Sequence, residues 1–129
     1  MERRSRLLIV TDQKGQQYKL KNQFENEGFN VVVVDSVDIA LRFIFQDCKV
    51  VLCRTYINGA IPTTLIKECK QQEIPIAAMG SNPAHFADWH ELGVQHTFDS
   101  DLLMGSEDAA KKAIKNCSET LQNLVSKRV

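Results

Sequence analysis

Two side chains of opposite charge stand at the ends of two apolar runs. Asp12 follows Leu7-Leu8-Ile9-Val10-Thr11, and Arg54 follows Val50-Val51-Leu52-Cys53. A carboxylate and a guanidinium so placed can pair with each other, or the guanidinium can hold an anion. Other chemistries fail on spacing. The four cysteines, Cys48, Cys53, Cys69 and Cys117, form no C-x-x-C pair, and no histidine can be set beside Cys53 to activate it. His85, Asp88 and His96 are irregularly spaced for metal ligation, with no cysteine near them. The stretch Thr11-Asp12-Gln13-Lys14-Gly15-Gln16 has one glycine and an acid, which suits no phosphate cradle, and no G-x-G-x-x-G or Walker-type string occurs. No cofactor or metal is expected.

The groups have to be positioned by a single domain spanning 1–129, since 129 residues support one core. Hydrophobic residues at 43% and charged residues at 25% are ordinary for a globular chain. The formal net charge is zero, so nothing global favours nucleic acid or an anionic membrane surface. The arginines in Glu2-Arg3-Arg4-Ser5-Arg6 are expected to belong to a solvated end, the alternative being a partner contact. No apolar run approaches a membrane span, and Cys53 and Cys117 fall in apolar stripes as small buried residues. A reducing cytoplasm fits this composition.

Leu7 to Val10 and Val50 to Cys53 are short continuous apolar runs, as expected of strands covered on both faces. Val31 to Val34 is a third such run, rich in β-branched residues. Ile76 to Met79 gives a weaker strand after Ile74-Pro75, and Val94 to Phe98 a short last one. Between them lie helical patterns. Tyr18, Leu20 and Phe24 precede a glycine cap at Gly28. Asp35-Ser36 starts a helix carrying Ile39, Ala40, Phe43 and Ile44. A third holds Leu65, Ile66 and Cys69, and Ser81-Asn82-Pro83 starts a fourth that Gly93 closes. Ser106-Glu107-Asp108 caps a long last helix over about 106–126. Five strands alternating with five helices imply an α/β three-layer sandwich around a parallel sheet, with flavodoxin-like order 2-1-3-4-5. That order brings the ends of the first and third strands, and so Asp12 and Arg54, to the switch point. Arg54 either pairs with Asp12 there or points to solvent.

The chain resembles a response-regulator receiver (CheY-like) domain from about Leu7 to Cys117. The likeness rests on Leu8-Ile9-Val10-Thr11-Asp12, on Glu27-Gly28-Phe29-Asn30-Val31, on Ile74-Pro75-Ile76 and on Leu92-Gly93-Val94. In such a family the first strand ends in two acids that hold magnesium; here they fall on Thr11 and Asp12. The phosphoacceptor aspartate falls on Arg54, which cannot form an acyl phosphate. The threonine or serine after strand four falls on Gly80, or on Ser81 with a one-residue slip. The lysine after strand five falls on Ser100, its proline on Asp101, and the aromatic switch position on Thr97 or Phe98. Phosphoryl transfer needs a nucleophile, a divalent cation and a neutralising positive group. The resemblance therefore implies a non-enzymatic pseudo-receiver, a signalling or regulatory module that works by protein contacts without phosphorylation. The alternatives are a receiver phosphorylated at a displaced acid (Asp99, Asp101 or Asp35) and a flavodoxin-like domain binding a small molecule or anion.

Asp88-Trp89-His90-Glu91-Leu92-Gly93 also fits the D-x-H-x-x-G string of corrinoid-binding domains, yet it falls in the fourth helical pattern rather than after the first strand, so His90 reads as a surface or capping residue. On the face formed by helix four, strand five and the last helix, Phe86, Trp89 and Phe98 are candidate contact residues, the alternative being that such aromatics face inward and pack in the core. Ala110, Ile114, Cys117, Leu121 and Leu124 step at heptad spacing. This stripe either faces the core or makes a seam through Leu121 and Leu124, for a homodimer or for a helix leading to an output domain. The partner expected is a protein or an output domain, not nucleic acid or a membrane.

Overall fold

A computed structural model describes residues 4–105 and 107–126. In chain order it has β1 (Arg6–Val10), α1 (Lys14–Asn26), β2 (Asn30–Val34), α2 (Val37–Phe43), β3 (Val50–Arg54), α3 (Thr63–Gln71), β4 (Ile76–Gly80), α4 (Pro83–Glu91), β5 (Thr97–Asp99), α5 (Ser100–Leu103) and α6 (Glu107–Ser126). The five strands are all parallel and lie in the order β2-β1-β3-β4-β5. This is the expected flavodoxin-like sandwich.

Strand periodicity builds the two layers of core. Leu8, Val10, Val51, Cys53 and Ala78 face one side, where Ala40, Leu65, Ile66 and Trp89 pack on them. Leu7, Ile9, Val50, Leu52, Ala77 and Met79 face the other, against Leu20, Phe24, Ile114 and Leu121. β1 and β3 thus bury both faces, which is why their sequences are unbroken apolar runs. The cysteines are buried and form no disulfide among the described residues, and desolvation pushes the Cys69 and Cys117 thiols up to about 12. Cys53 is likewise raised well above its ordinary value by burial. They act as small hydrophobes.

Local signals set several boundaries. Ser36 accepts the Ile39 N–H at 3.3 Å, and Asn82 accepts the Ala84 N–H at 3.0 Å with Pro83 in the first turn, so α2 and α4 start where expected. After α1 the chain turns through Gly28, whose φ of 102° favours glycine. The cap expected from Ser106 lies outside the described residues. So do Glu2 and Arg3, while Arg6 opens β1 and donates from Nη1 to the Gln46 carbonyl at 2.7 Å. Arg6 is therefore part of the structure rather than a solvated end.

Three expectations need correction. The fifth strand is Thr97–Asp99, not Val94 to Phe98, because Val94 closes the turn after α4 by donating to the Trp89 carbonyl at 3.1 Å. A sixth helix, α5, follows it, capped by the Asp99 carboxylate on the Asp101 N–H at 2.8 Å. The heptad stripe is not free for a partner over most of its length. Ala110, Ile114, Cys117 and Leu121 are all buried at 1% exposure or less, and Leu124 packs partly against the same core. The stripe covers this chain's own sheet as far as Leu124. Tyr18 also departs from the apolar pattern of α1, standing 76% exposed.

Candidate functional site

The C-terminal ends of β1 and β3 meet at the point where the sheet order reverses, the usual crevice of an open α/β sheet. Thr11 there is wholly buried and bound into its own loop. Its N–H donates to Val34 O at 3.0 Å, its hydroxyl donates to Gln16 Oε1 at 3.0 Å, and that hydroxyl accepts the Gln13 N–H at 3.2 Å. Where a second acid would point at a cation, a short polar side chain ties the loop to the start of α1.

Asp12 does not point outward alone. Its Oδ2 accepts the Asn58 N–H at 2.7 Å, and its Oδ1 lies 3.5 Å from Arg54 Nη1. The same Nη1 donates to the Tyr56 carbonyl at 3.3 Å. Of the two placements open to Arg54, the structure shows pairing with Asp12. The contact is single rather than bidentate, and the side chains keep 28% and 19% exposure. Solvent screening holds such a pair to about 1 kcal/mol or less. The shorter bond is the one from Asn58, so the carboxylate is chiefly an anchor for the loop after β3. That loop turns at Asn58 and Gly59, with φ of 53° and 85°, and Ile57 and Ala60 exchange hydrogen bonds of 2.9 and 3.2 Å across it. Both φ values are positive, as a type I′ turn requires, and Asn-Gly is the sequence that adopts it most readily.

The next layer of the rim is built on Thr55, which sequence reasoning did not single out. Thr55 is buried and donates its N–H to Met79 O at 2.9 Å. Its carbonyl accepts the Trp89 Nε1–H at 2.9 Å. A Cβ on Gly80 would stand 2.7 Å from Thr55 Oγ1 and 3.0 Å from its Cγ2. Thr55 therefore fills the space in which a side chain at position 80 would sit, and any larger residue there would have to displace it. Ser81, the other candidate, lies beyond β4 and is exposed.

His85 completes this cluster. Its ring stacks on Tyr56 at 4.0 Å and 19°, with Nδ1 3.4 Å from Thr55 Oγ1 and Nε2 3.5 Å from Asn82 Nδ2. Asn82 Oδ1 is committed to capping α4, so its amide must present a donor to Nε2, and Nδ1–H then donates to Thr55. This histidine organises the rim. Among the described residues, no group of three His, Cys, Asp or Glu converges on a common point that could hold a metal.

The remaining candidates scatter. Ser100 is buried at the start of α5, and Asp101 is exposed there. Thr97 pairs with Ala78 and Phe98 with Met79, and Phe98 packs into the α6-side core. Trp89 is 0% exposed and Leu121 is equally buried, so both are corrected from contact residues to core residues: an indole that packs under the sheet and bonds to Thr55 cannot reach a partner. Phe86, Phe98 and Leu124 are only partly buried. Two cavities, of about 270 and 330 Å³, lie away from the rim, one beside Ile74, Val94 and Leu124 and the other between Glu27 and Gln122.

No protein-family model matches this chain, and no curated protein matches it. Its fold is nevertheless that of solved receiver domains. A Chloroflexus aurantiacus protein described as a response regulator superposes with a TM-score of 0.76 at 18% identity, covering 96% of this chain and 99% of that one. A Francisella response-regulator receiver domain gives 0.73 at 16% identity, over 97% and 99%. A CheY-like receiver domain protein from Methanospirillum hungatei gives 0.71 at 16%, over 94% and 98%.

Proposed function

We propose that this receiver-fold chain is a pseudo-receiver: a non-catalytic signalling or regulatory module that acts through protein contacts without being phosphorylated. The observation that supports this most is Arg54. It occupies the end of β3 with its guanidinium 3.5 Å from the rim carboxylate. A fixed positive charge there supplies what a metal would supply and repels the metal itself. Thr11 offers no second carboxylate, and Asp12 is already spent on the Asn58 N–H. Asp99, the alternative acid that ends β5, is engaged as a helix cap.

The partner is a protein or an output domain, and a second copy of the chain is one form it can take. The partly buried Phe86, Phe98 and Leu124 belong to the face of α4, β5 and α6 that would carry the contact. A cytoplasmic setting suits cysteines that form no disulfide; among the described residues, no helix is long and apolar enough to cross a membrane.

Magnesium titration followed by backbone amide NMR tests the reading. The signals of Asp12, Thr55 and Asn58 should stay in place as the cation reaches millimolar concentration. A saturable shift centred on Asp12 and Asn58 would show a working metal site and overturn it.

A further inference from the structure

The turn that Asp12 anchors carries a chemistry of its own. Asn58 is the only one of the asparagines at 22, 26, 30, 58, 82, 116 and 123 to be followed by glycine. Both turn residues are exposed, and nothing lies within 4 Å of the place a Cβ on Gly59 would occupy. The flanking N–H groups are engaged, Asn58 with Asp12 and Ala60 with Ile57, but the Gly59 N–H has no hydrogen-bond partner among the described residues. An unhindered, unbonded amide nitrogen thus follows an asparagine side chain that itself makes no hydrogen bond among the described residues.

We propose that Asn58 is a self-modification site, where deamidation converts a neutral turn into an acidic one at the mouth of the sheet. A base removes the Gly59 amide proton, and that nitrogen attacks Asn58 Cγ. The Cγ–Nδ2 bond breaks and ammonia leaves with a proton from water, closing a five-membered succinimide. Water then opens the ring. Attack at Cγ leaves an aspartate, whereas attack at the main-chain carbonyl leaves an isoaspartate whose chain runs through the former side chain. The sum is one water consumed and one ammonia released, with no oxidant or reductant.

The product matters because of what surrounds it. Asp12 accepts the residue 58 N–H at 2.7 Å, so a carboxylate on that residue sets a second negative charge beside the first, within the field of Arg54. The isoaspartyl form adds an atom to a two-residue loop and breaks the paired bonds between Ile57 and Ala60, and with them the hold on Asp12. The meaning of this for signalling rests on the pseudo-receiver reading, while the chemistry does not.

The full chain is incubated at mildly alkaline pH and sampled by peptide mapping with enzymatic isoaspartyl methylation. Conversion at Asn58 should run at least an order of magnitude faster than at any other asparagine. Asn58→Gln should stop it, since the ring it would form is larger. Asp12→Ala should speed it, because the turn loses its anchor. Asn58 remaining intact after a free peptide spanning Thr55–Pro62 has converted would overturn the proposal, as would a rate in Asp12→Ala no higher than in the parent. Phosphorylation would add a far larger mass to an aspartate, so failure here and failure of the pseudo-receiver reading give separate signals.

Discussion

Replacing Gly80 by threonine, which would place a hydroxyl at the end of β4, should destabilise the protein by about 1–3 kcal/mol or more. The cause is local. A Cβ at position 80 comes within 2.7 Å of Thr55 Oγ1, a buried atom that itself lies 3.4 Å from His85 Nδ1. The Thr55 carbonyl is held by Trp89 and its amide by β4. Overpacking in a buried strand forces such atoms off their rotamers or moves the backbone. The loss should appear as a lower urea midpoint with an unchanged m-value. The companion Thr55→Ala removes Oγ1 and Cγ2, so the double variant should lose less than the sum of the singles. A coupling of about 0.5–3 kcal/mol is the size expected for atoms in contact. Strict additivity would mean that Thr55 does not fill that space.

Trp89→Ala should carry the largest cost. Truncating a fully buried indole removes about 3–5 kcal/mol of packing, and the Thr55 carbonyl loses its donor as well. A domain of this kind has roughly 5–15 kcal/mol in total, so the variant should unfold readily and its α4 amides should exchange fast. Trp89→Phe keeps most of the bulk while orphaning the carbonyl, and should cost about 1–3 kcal/mol. Were Trp89 a docking residue instead, alanine would weaken association and leave the unfolding midpoint unchanged. That result would place the indole on the surface.

These two residues also show how much the sequence could reveal. Strands β1 and β3 were legible because burial on both faces demands unbroken apolar runs, and their parallel order followed from alternation with helices. The start of α4 was legible in Asn82-Pro83, since capping chemistry is local. β5 was blurred because the Val94 side chain packs into the core beside Trp89 while its backbone belongs to the turn after α4 rather than to the sheet. The spacing of Ala110, Ile114, Cys117 and Leu121 was plain, but a core stripe and a dimer seam share that spacing; only tertiary packing tells them apart. For Trp89 and Leu121, too, core packing and partner contact were both open, and burial at 0% exposure decides for the core.

At the rim, topology alone brought Asp12 and Arg54 together, and the sheet order could be inferred. What could not be read was the stronger partner of Asp12, because a backbone N–H leaves no mark in the residue alphabet. Thr55 was equally silent. Its role depends on Gly80, which is distant in sequence and adjacent only once β3 and β4 pair. A glycine where a hydroxyl was expected was the one available hint: a missing side chain often means that a neighbour occupies its place.

The positive charge of Arg54 at the end of β3 is the feature on which the functional reading turns. Its most direct test is intact mass after incubation with acetyl phosphate and magnesium, run beside a phosphorylatable receiver domain as control. The control should gain one phosphoryl group while this protein keeps its mass. A stable phosphoryl adduct on any aspartate of this chain would contradict the pseudo-receiver reading.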